Sequence, residues 1–174
     1  MKKAIFFYET ILKKVTNVMG VFAGVILFVP ALMIFYEVVM RGMFNAPTEW
    51  SIELSVYCVL VAGFLGMPVT YGAGKHIKVD IFTSKLSPKN YCFLEILAST
   101  IGAIFCLVFF VEAVNMASLS YEIDRRSPDT LRVPLWIPQL SMPIGIGMLF
   151  LHFLGTIFVD ITKLTSGEFS KEVA

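Results

Sequence analysis

The groups in this chain that could do chemistry are few and widely spaced. Only two histidines occur, His76 and His152. A haem held by both would need them on facing helices at one depth. The competing reading is that His152, alone in an apolar stretch, hydrogen-bonds to a neighbouring helix. The three cysteines, Cys58, Cys92 and Cys106, are odd in number and lack CxxC spacing. They read as small buried apolar residues rather than as a disulfide framework or a metal site. No Gly-rich phosphate loop, nucleophile elbow or metal-ligand cluster is present. The chain is therefore expected to hold no cofactor or metal and not to be an enzyme.

The carboxylates are more informative. Glu37 and Arg41 are four residues apart, which on a helix puts them on one face and lets them pair directly. Glu53 follows a short turn and could share Arg41. On this reading Glu37, Arg41 and Glu53 form a structural ion-pair cluster that sets helix register. The alternative, a proton or ion relay, needs polar groups continuing through the membrane midplane. The neighbourhoods of Pro30, Leu60, Val61, Phe105 and Met148 supply almost none. Depth decides the cost, because a charge at the bilayer centre costs roughly 2.5–3.5 kcal/mol on insertion scales. At about 1.5 Å per residue, Glu37, Glu53 and Glu112 are expected near the outer boundary and Glu95 near the inner one.

Four apolar stretches must position these groups. Residues 15–36, 54–71, 96–111 and 133–159 carry no charge. A helix needs about 20 apolar residues to cross roughly 30 Å of hydrocarbon. Two stretches suffice outright, and the others reach that length by accepting Glu53 or Glu112 at one end. The chain is 57% hydrophobic and 16% charged, with a mean hydropathy of +0.78, too apolar for a water-soluble domain of this size. A net charge of +1 leaves no nucleic-acid footprint. The first stretch is too long for a signal-peptide core and lacks a small-residue cleavage site, so it is expected to be retained. The expected class is an all-α integral membrane protein. It forms one membrane domain, 1–174, with spans at about 15–41, 50–72, 91–121 and 135–161.

Threading the chain back and forth sorts its cations. All ten lysines fall on the side of the termini, and all four arginines, Arg41, Arg125, Arg126 and Arg132, on the other. Positive charge near span ends marks the cytoplasmic side, which places both termini in the cytoplasm. Trp50 and Trp136 then fall at the outer interface, where amphipathic rings belong. Tyr8, Ile11, Leu12 and Val15 share one helical face. The segment 1–15 is either an amphipathic helix lying in the cytoplasmic interface or the start of a long, tilted first span.

Local signals refine the spans. Pro30 is expected to kink the first. The turn Asn45-Ala-Pro47-Thr-Glu49 makes the first two spans antiparallel neighbours, with Thr48 or Glu49 as cap of the second. Gly63 and Gly66 are expected to let another helix approach closely. On the inner side, Asp80 is expected to cap a short helix stopped by Pro88. Pro138, Pro143, Gly145 and Gly147 predict a bent first half of span four. No internal repeat is visible, so the inverted-repeat signature of a self-sufficient transporter is missing. Asp124, Arg125, Arg126, Asp129 and Arg132 give the outer loop before span four a charged surface. It is either a solvated turn or a docking surface.

One set of motifs points further. Arg41-Gly-Met-Phe-Asn45-Ala-Pro47-Thr-Glu-Trp50-Ser-Ile-Glu53 continues to Gly63 and Gly66 and then meets Gly74-Lys-His76-Ile-Lys-Val-Asp80. Together with Pro134-Leu-Trp136-Ile-Pro138 and Pro143-Ile-Gly145, this resembles the small membrane subunit of tripartite ATP-independent periplasmic (TRAP) transporters, the DctQ-like family. The resemblance covers nearly the whole chain. It marks Asn45, Pro47, Trp50, His76 and Asp80 as family-motif positions. It implies four transmembrane helices with both termini inside, in a bacterial inner membrane. It also implies a scaffold role beside a large membrane permease subunit that carries substrate and sodium and is expected here as a separate polypeptide. A periplasmic substrate-binding protein would deliver a carboxylate such as a C4-dicarboxylate or sialic acid, and the outer loop would be a candidate for docking it. Two rival readings stand beside this one: a membrane anchor of a respiratory haem or quinone complex, and a small independent channel or exporter.

Overall fold

A computed structural model of the protein describes residues 2–73 and 88–166. His76, Asp80, the short helix expected after Asp80 and the tail from 167 onward lie outside the described residues. The helices are α1 (Lys2–Phe44), α2 (Glu49–Gly72), α3 (Pro88–Glu122), the single turn α4 (Trp136–Gln139) and α5 (Ser141–Ser166). Hydrocarbon offers no partner to a backbone N–H or C=O, so each uncharged stretch must satisfy its own peptide groups, and a helix does this within one segment. Among the described residues four helices are long and apolar enough to cross a membrane. The protein is an all-α, four-span membrane protein.

α1 is one uninterrupted helix of 43 residues, about 64 Å long and roughly twice the hydrocarbon thickness. The segment before the first apolar stretch is thus continuous with the first span. Part of its apolar face meets α5: the Tyr8 hydroxyl donates to the Leu151 carbonyl at 2.8 Å and Gly155 leaves room for the Tyr8 ring, whereas Ile11 and Val15 are exposed. The helix runs through Pro30. It stops at Asn45, whose φ of 51° is left-handed and suits asparagine better than most residues. The Ala46 amide closes onto the Met40 carbonyl at 3.1 Å, and Pro47 cannot extend the helix. Pro88 opens α3, a position where its missing N–H costs nothing. In span four the helix is interrupted only at Leu140, between α4 and α5 and flanked by Pro138 and Pro143, and Leu140 itself keeps a helical φ of −59° and ψ of −24°.

The helices pack in the order α1, α2, α5, α3, with α1 also touching α5 near its N-terminal half. Lipid tails are as apolar as leucine, so contact depends on close approach rather than on hiding apolar surface. The seams are accordingly made of small residues. α3 presents Cys92, Ser99, Ala103, Cys106, Ala113, Ala117 and Ser120, all buried, at alternating intervals of seven, four and three. Gly145 of α5 lies directly on the Phe64 backbone, Gly102 of α3 faces the Phe153 ring, and Gly147 faces Phe110. No described helix of this chain closes on Gly63 or Gly66: nothing lies within 4 Å of where their Cβ atoms would be. They occupy the side of α2 turned away from its neighbours, whose contact faces use Ser51, Ser55, Ala62 and Pro68.

The position of Glu112 along its helix also differs from what counting the apolar stretch implied. Trp50 and Tyr71 of α2 are 21 residues apart, about 31 Å, which matches the hydrocarbon thickness. Phe64 lies two thirds of the way along, and its ring meets Phe109 of α3 with centroids 6.4 Å apart. Glu112 is one turn outward from Phe109, close to the midpoint. Counting from the apolar stretch 96–111 put it at the outer edge, but α3 continues ten residues beyond it to Glu122.

A methyl group at Gly145 would overlap the Phe64 carbonyl oxygen, and backbone cannot give way as a side chain can. Gly145→Ala is expected to lower the thermal unfolding midpoint in detergent by several degrees, in line with overpacking costs of about 1–3 kcal/mol. Gly63→Ala, with open space around it, should leave the midpoint unchanged or slightly raised. Equal midpoints for the two variants would contradict the assigned α2–α5 contact.

Candidate functional site

The polar side chains gather at the two ends of the helices. At the end that bears the α1–α2 turn, which the lysine asymmetry of the sequence assigns as outer, Arg41 Nη2 lies 3.4 Å from Glu37 Oε2, with the Arg41 side chain 61% exposed and that of Glu37 only 5%. The arginine thus reaches water while neutralising a carboxylate that does not. Beside them Tyr36 and Trp50 form a tilted ring pair with centroids 6.1 Å apart. Tyr121 and Trp136 form an edge-to-face pair at 5.6 Å. Rings with polar tips favour the membrane–water boundary, and these two pairs mark it.

Glu53 does not share Arg41. It is buried and accepts hydrogen bonds from the Leu131 amide at 3.2 Å and from the Tyr57 hydroxyl at 3.3 Å. One turn earlier, Glu49 accepts a 2.6 Å bond from the Thr130 hydroxyl. Both carboxylates sit at the start of α2, where the helix dipole favours negative charge. Together they clamp the outer loop. The expected three-residue cluster is therefore two devices: a Glu37–Arg41 pair within α1 and a Glu49/Glu53 clamp on α2. Neither Thr48, which makes no side-chain cap bond, nor Arg41 organises this turn. Ser51 contributes instead, its fully buried hydroxyl donating to the Met33 carbonyl of α1 at 2.7 Å.

The clamped loop is a closed hairpin. Ser127 N donates to Val133 O at 2.9 Å and Leu135 N to Arg125 O at 3.0 Å, around an antiparallel bridge between Arg126 and Pro134. Asp124 and Arg132 each take a left-handed φ of 47° to turn the chain. Arg126 forks onto Asp124 with bonds of 3.1 and 3.3 Å, and the Asp129 amide donates to the Ser127 hydroxyl at 3.1 Å. Asp124, Arg125, Arg126, Asp129 and Arg132 are thus brought together on one ordered hairpin, all exposed. Between hairpin and α2 lies a cleft of about 510 Å³ lined by Glu49, Glu53, Tyr57, Asp129 and Thr130.

The inner end holds a second polar group. Thr16 of α1 and His152 Nε2 of α5 lie 2.8 Å apart. Tyr71 contacts the His152 and Phe153 rings and bonds through its hydroxyl to Thr156 at 3.0 Å. They border a cleft of about 540 Å³ reached by Glu9, Lys13 and Asn17. His152 is thus engaged with a neighbouring helix, as one of the two sequence readings holds, and this does not favour a haem anchor. Among the described residues no three histidine, cysteine or acidic side chains gather as a metal site would need.

Of the family-motif positions, the structure places three at the α1–α2 turn, where Asn45 and Pro47 terminate α1 and Trp50 meets Tyr36 in the tilted ring pair. Sequence reasoning missed Ser51, Tyr57, Thr130 and the Leu131 amide. The i,i+4 spacing of Glu49 and Glu53 was a visible sign that one face of α2 seeks donors.

The family model described as "Tripartite ATP-independent periplasmic transporters, DctQ component" matches residues 30–163, from the middle of α1 almost to the end of α5. This chain belongs to the DctQ family. Among relatives of this DctQ-family chain is the C4-dicarboxylate TRAP transporter small permease protein DctQ of Rhodobacter capsulatus. It is 25% identical over 109 residues, 63% of this chain and 48% of that protein. A putative TRAP transporter small permease protein of Haemophilus influenzae is 27% identical over 81 residues, 47% of this chain and 50% of that one. The aligned stretches span about half the length of these relatives. As a DctQ-family member the protein is a multi-pass inner-membrane component of a transporter and not an enzyme.

Removing a charged acceptor from a backbone donor weakens the bonded state by about 1.5–3 kcal/mol. Glu53→Ala is therefore expected to speed hydrogen exchange at the Leu131 amide roughly tenfold to a hundredfold, with the helices still protected. Unchanged exchange would mean that the hairpin's own bonds hold the loop.

Proposed function

We propose that this chain is the small scaffold subunit of a sodium-coupled TRAP importer for an organic carboxylate. It would act with a large membrane permease subunit and a periplasmic substrate-binding protein, with both of its own termini in the cytoplasm. The observation that carries the reading is the nature of the helix seams. Among the described residues they are filled largely by alanine, glycine, cysteine and serine, which suit tight packing, and the charged side chains sit toward the helix ends rather than along these seams. The substrate path must then lie in another chain, and this subunit supplies anchoring and surface. A dicarboxylate substrate is supported by the name of the Rhodobacter relative, and sialic acid is the other carboxylate considered. The lysine and arginine asymmetry supports the orientation.

Reconstituted alone in liposomes, the chain should neither accumulate carboxylate nor pass sodium. With the permease subunit and binding protein added, a sodium gradient should drive uptake. Sodium-dependent uptake by this chain alone would refute the scaffold reading.

The hairpin is the natural place for this subunit to help receive the binding protein. It is short, clamped by Glu49 and Glu53, and holds fixed charges clear of the membrane. Complementary charge raises association rates and sets orientation more than raw affinity. Reversing Arg125, Arg126 and Arg132 to glutamate should cut uptake most at limiting binding protein, and excess binding protein should partly restore it. A cysteine at position 129 should react with an impermeant reagent added from the periplasmic side. Labelling only from the cytoplasmic side would overturn the orientation, and undiminished uptake by the triple reversal would remove the hairpin from docking.

A further inference from the structure

The two outer helices of the row expose very different faces. On α1 the whole stretch 18–35 contains no polar side chain, so its exposed Val21, Phe22, Val25, Phe28 and Leu32 suit lipid. α3 differs. Its buried seam runs through Ala103, Cys106, Ala113 and Ala117. Directly opposite, the exposed row Ile101, Ile104, Val108 and Leu119 is interrupted by Glu112 and Asn115, both exposed. These two are three residues apart and therefore adjacent on the helix surface.

Among the described residues neither side chain makes a hydrogen bond or ion pair. Two of the described arginines are engaged elsewhere. Arg41 pairs with Glu37 on the opposite flank, and Arg126 pairs with Asp124 beyond the end of α3. By its register with Phe109 and Phe64, Glu112 stands level with the middle of α2 and ten residues short of the end of α3. Far from both ends of a spanning helix, ionisable groups face protein or a water-filled cavity rather than lipid.

We infer that the Glu112–Asn115 face of α3 is the intramembrane docking surface for the large permease subunit, which must present a hydrogen-bond donor or cation near the bilayer midplane. This rests on the scaffold reading above and adds to it where the partner sits and what chemistry it offers. The flat aliphatic positions on either side, Val108 and Leu119, supply packing. Glu112 and Asn115 supply register, because an unmet carboxylate in hydrocarbon penalises every wrong alignment.

The test uses the full chain in native membranes with the permease subunit of the same transporter, tagged for purification. A photo-crosslinking amino acid at Val108 or Leu119 should join this chain to the permease subunit, identified by mass spectrometry, whereas one at Val25 or Phe28 should reach lipid. Glu112→Leu should reduce co-purification with the tagged subunit at least tenfold and Asn115→Leu less, with Glu112→Gln retaining most of it. The isolated chain should unfold at the same temperature or higher in the Glu112→Leu variant, since Glu112 has no partner within it. Crosslinking from α3 to lipid or to a second copy of this chain would overturn the inference, as would undiminished co-purification of Glu112→Leu. If the wild-type chain itself fails to co-purify with the permease subunit, the scaffold reading fails first.

Discussion

Everything in this protein depends on how helices associate where water is absent. Burying a leucine side chain gains little when lipid would cover it as well, so the helices must approach closely enough for dispersion contacts and buried hydroxyls to decide the arrangement. The contact of Gly145 with the Phe64 backbone is the tightest instance. It holds α5 against α2, and α3 then packs on the other flank of α5 through its row of alanine, cysteine and serine. Hydroxyl groups add direction. Ser51 reaches across to α1 at the outer end, and Thr16 reaches His152 at the inner end, so the α1 seam is pinned at both ends.

That arrangement leaves the charged groups in two classes. Those at the outer rim are compensated within the chain: Glu37 by Arg41, Glu53 by a backbone amide and a phenol, Glu49 by a threonine. Their partners cost little to recruit because the rim is near water and the hairpin is already turned by its own hydrogen bonds. Glu112 belongs to the other class. It lies farther along its helix from that rim and on an exposed face, and no described residue bonds to its side chain.

Much of the architecture was legible in the residues. Uncharged runs of sufficient length dictate spanning helices, because no other local structure satisfies the peptide groups in hydrocarbon. The Glu37–Arg41 pair follows from spacing on a single helix, and the helix stop follows from asparagine and proline at 45 and 47. Each of these depends only on neighbours along the chain. What the sequence could not state was the rotation of each helix about its axis and its height relative to the next. Rotation turned Gly63 and Gly66 outward and Gly145 and Gly102 inward, although all four look alike in sequence. Height placed the Leu131 amide on Glu53, 78 residues away, and set Glu112 level with the middle of α2 rather than its end. Rotation and height are set by side chains of different helices meeting, so only the tertiary structure could decide them.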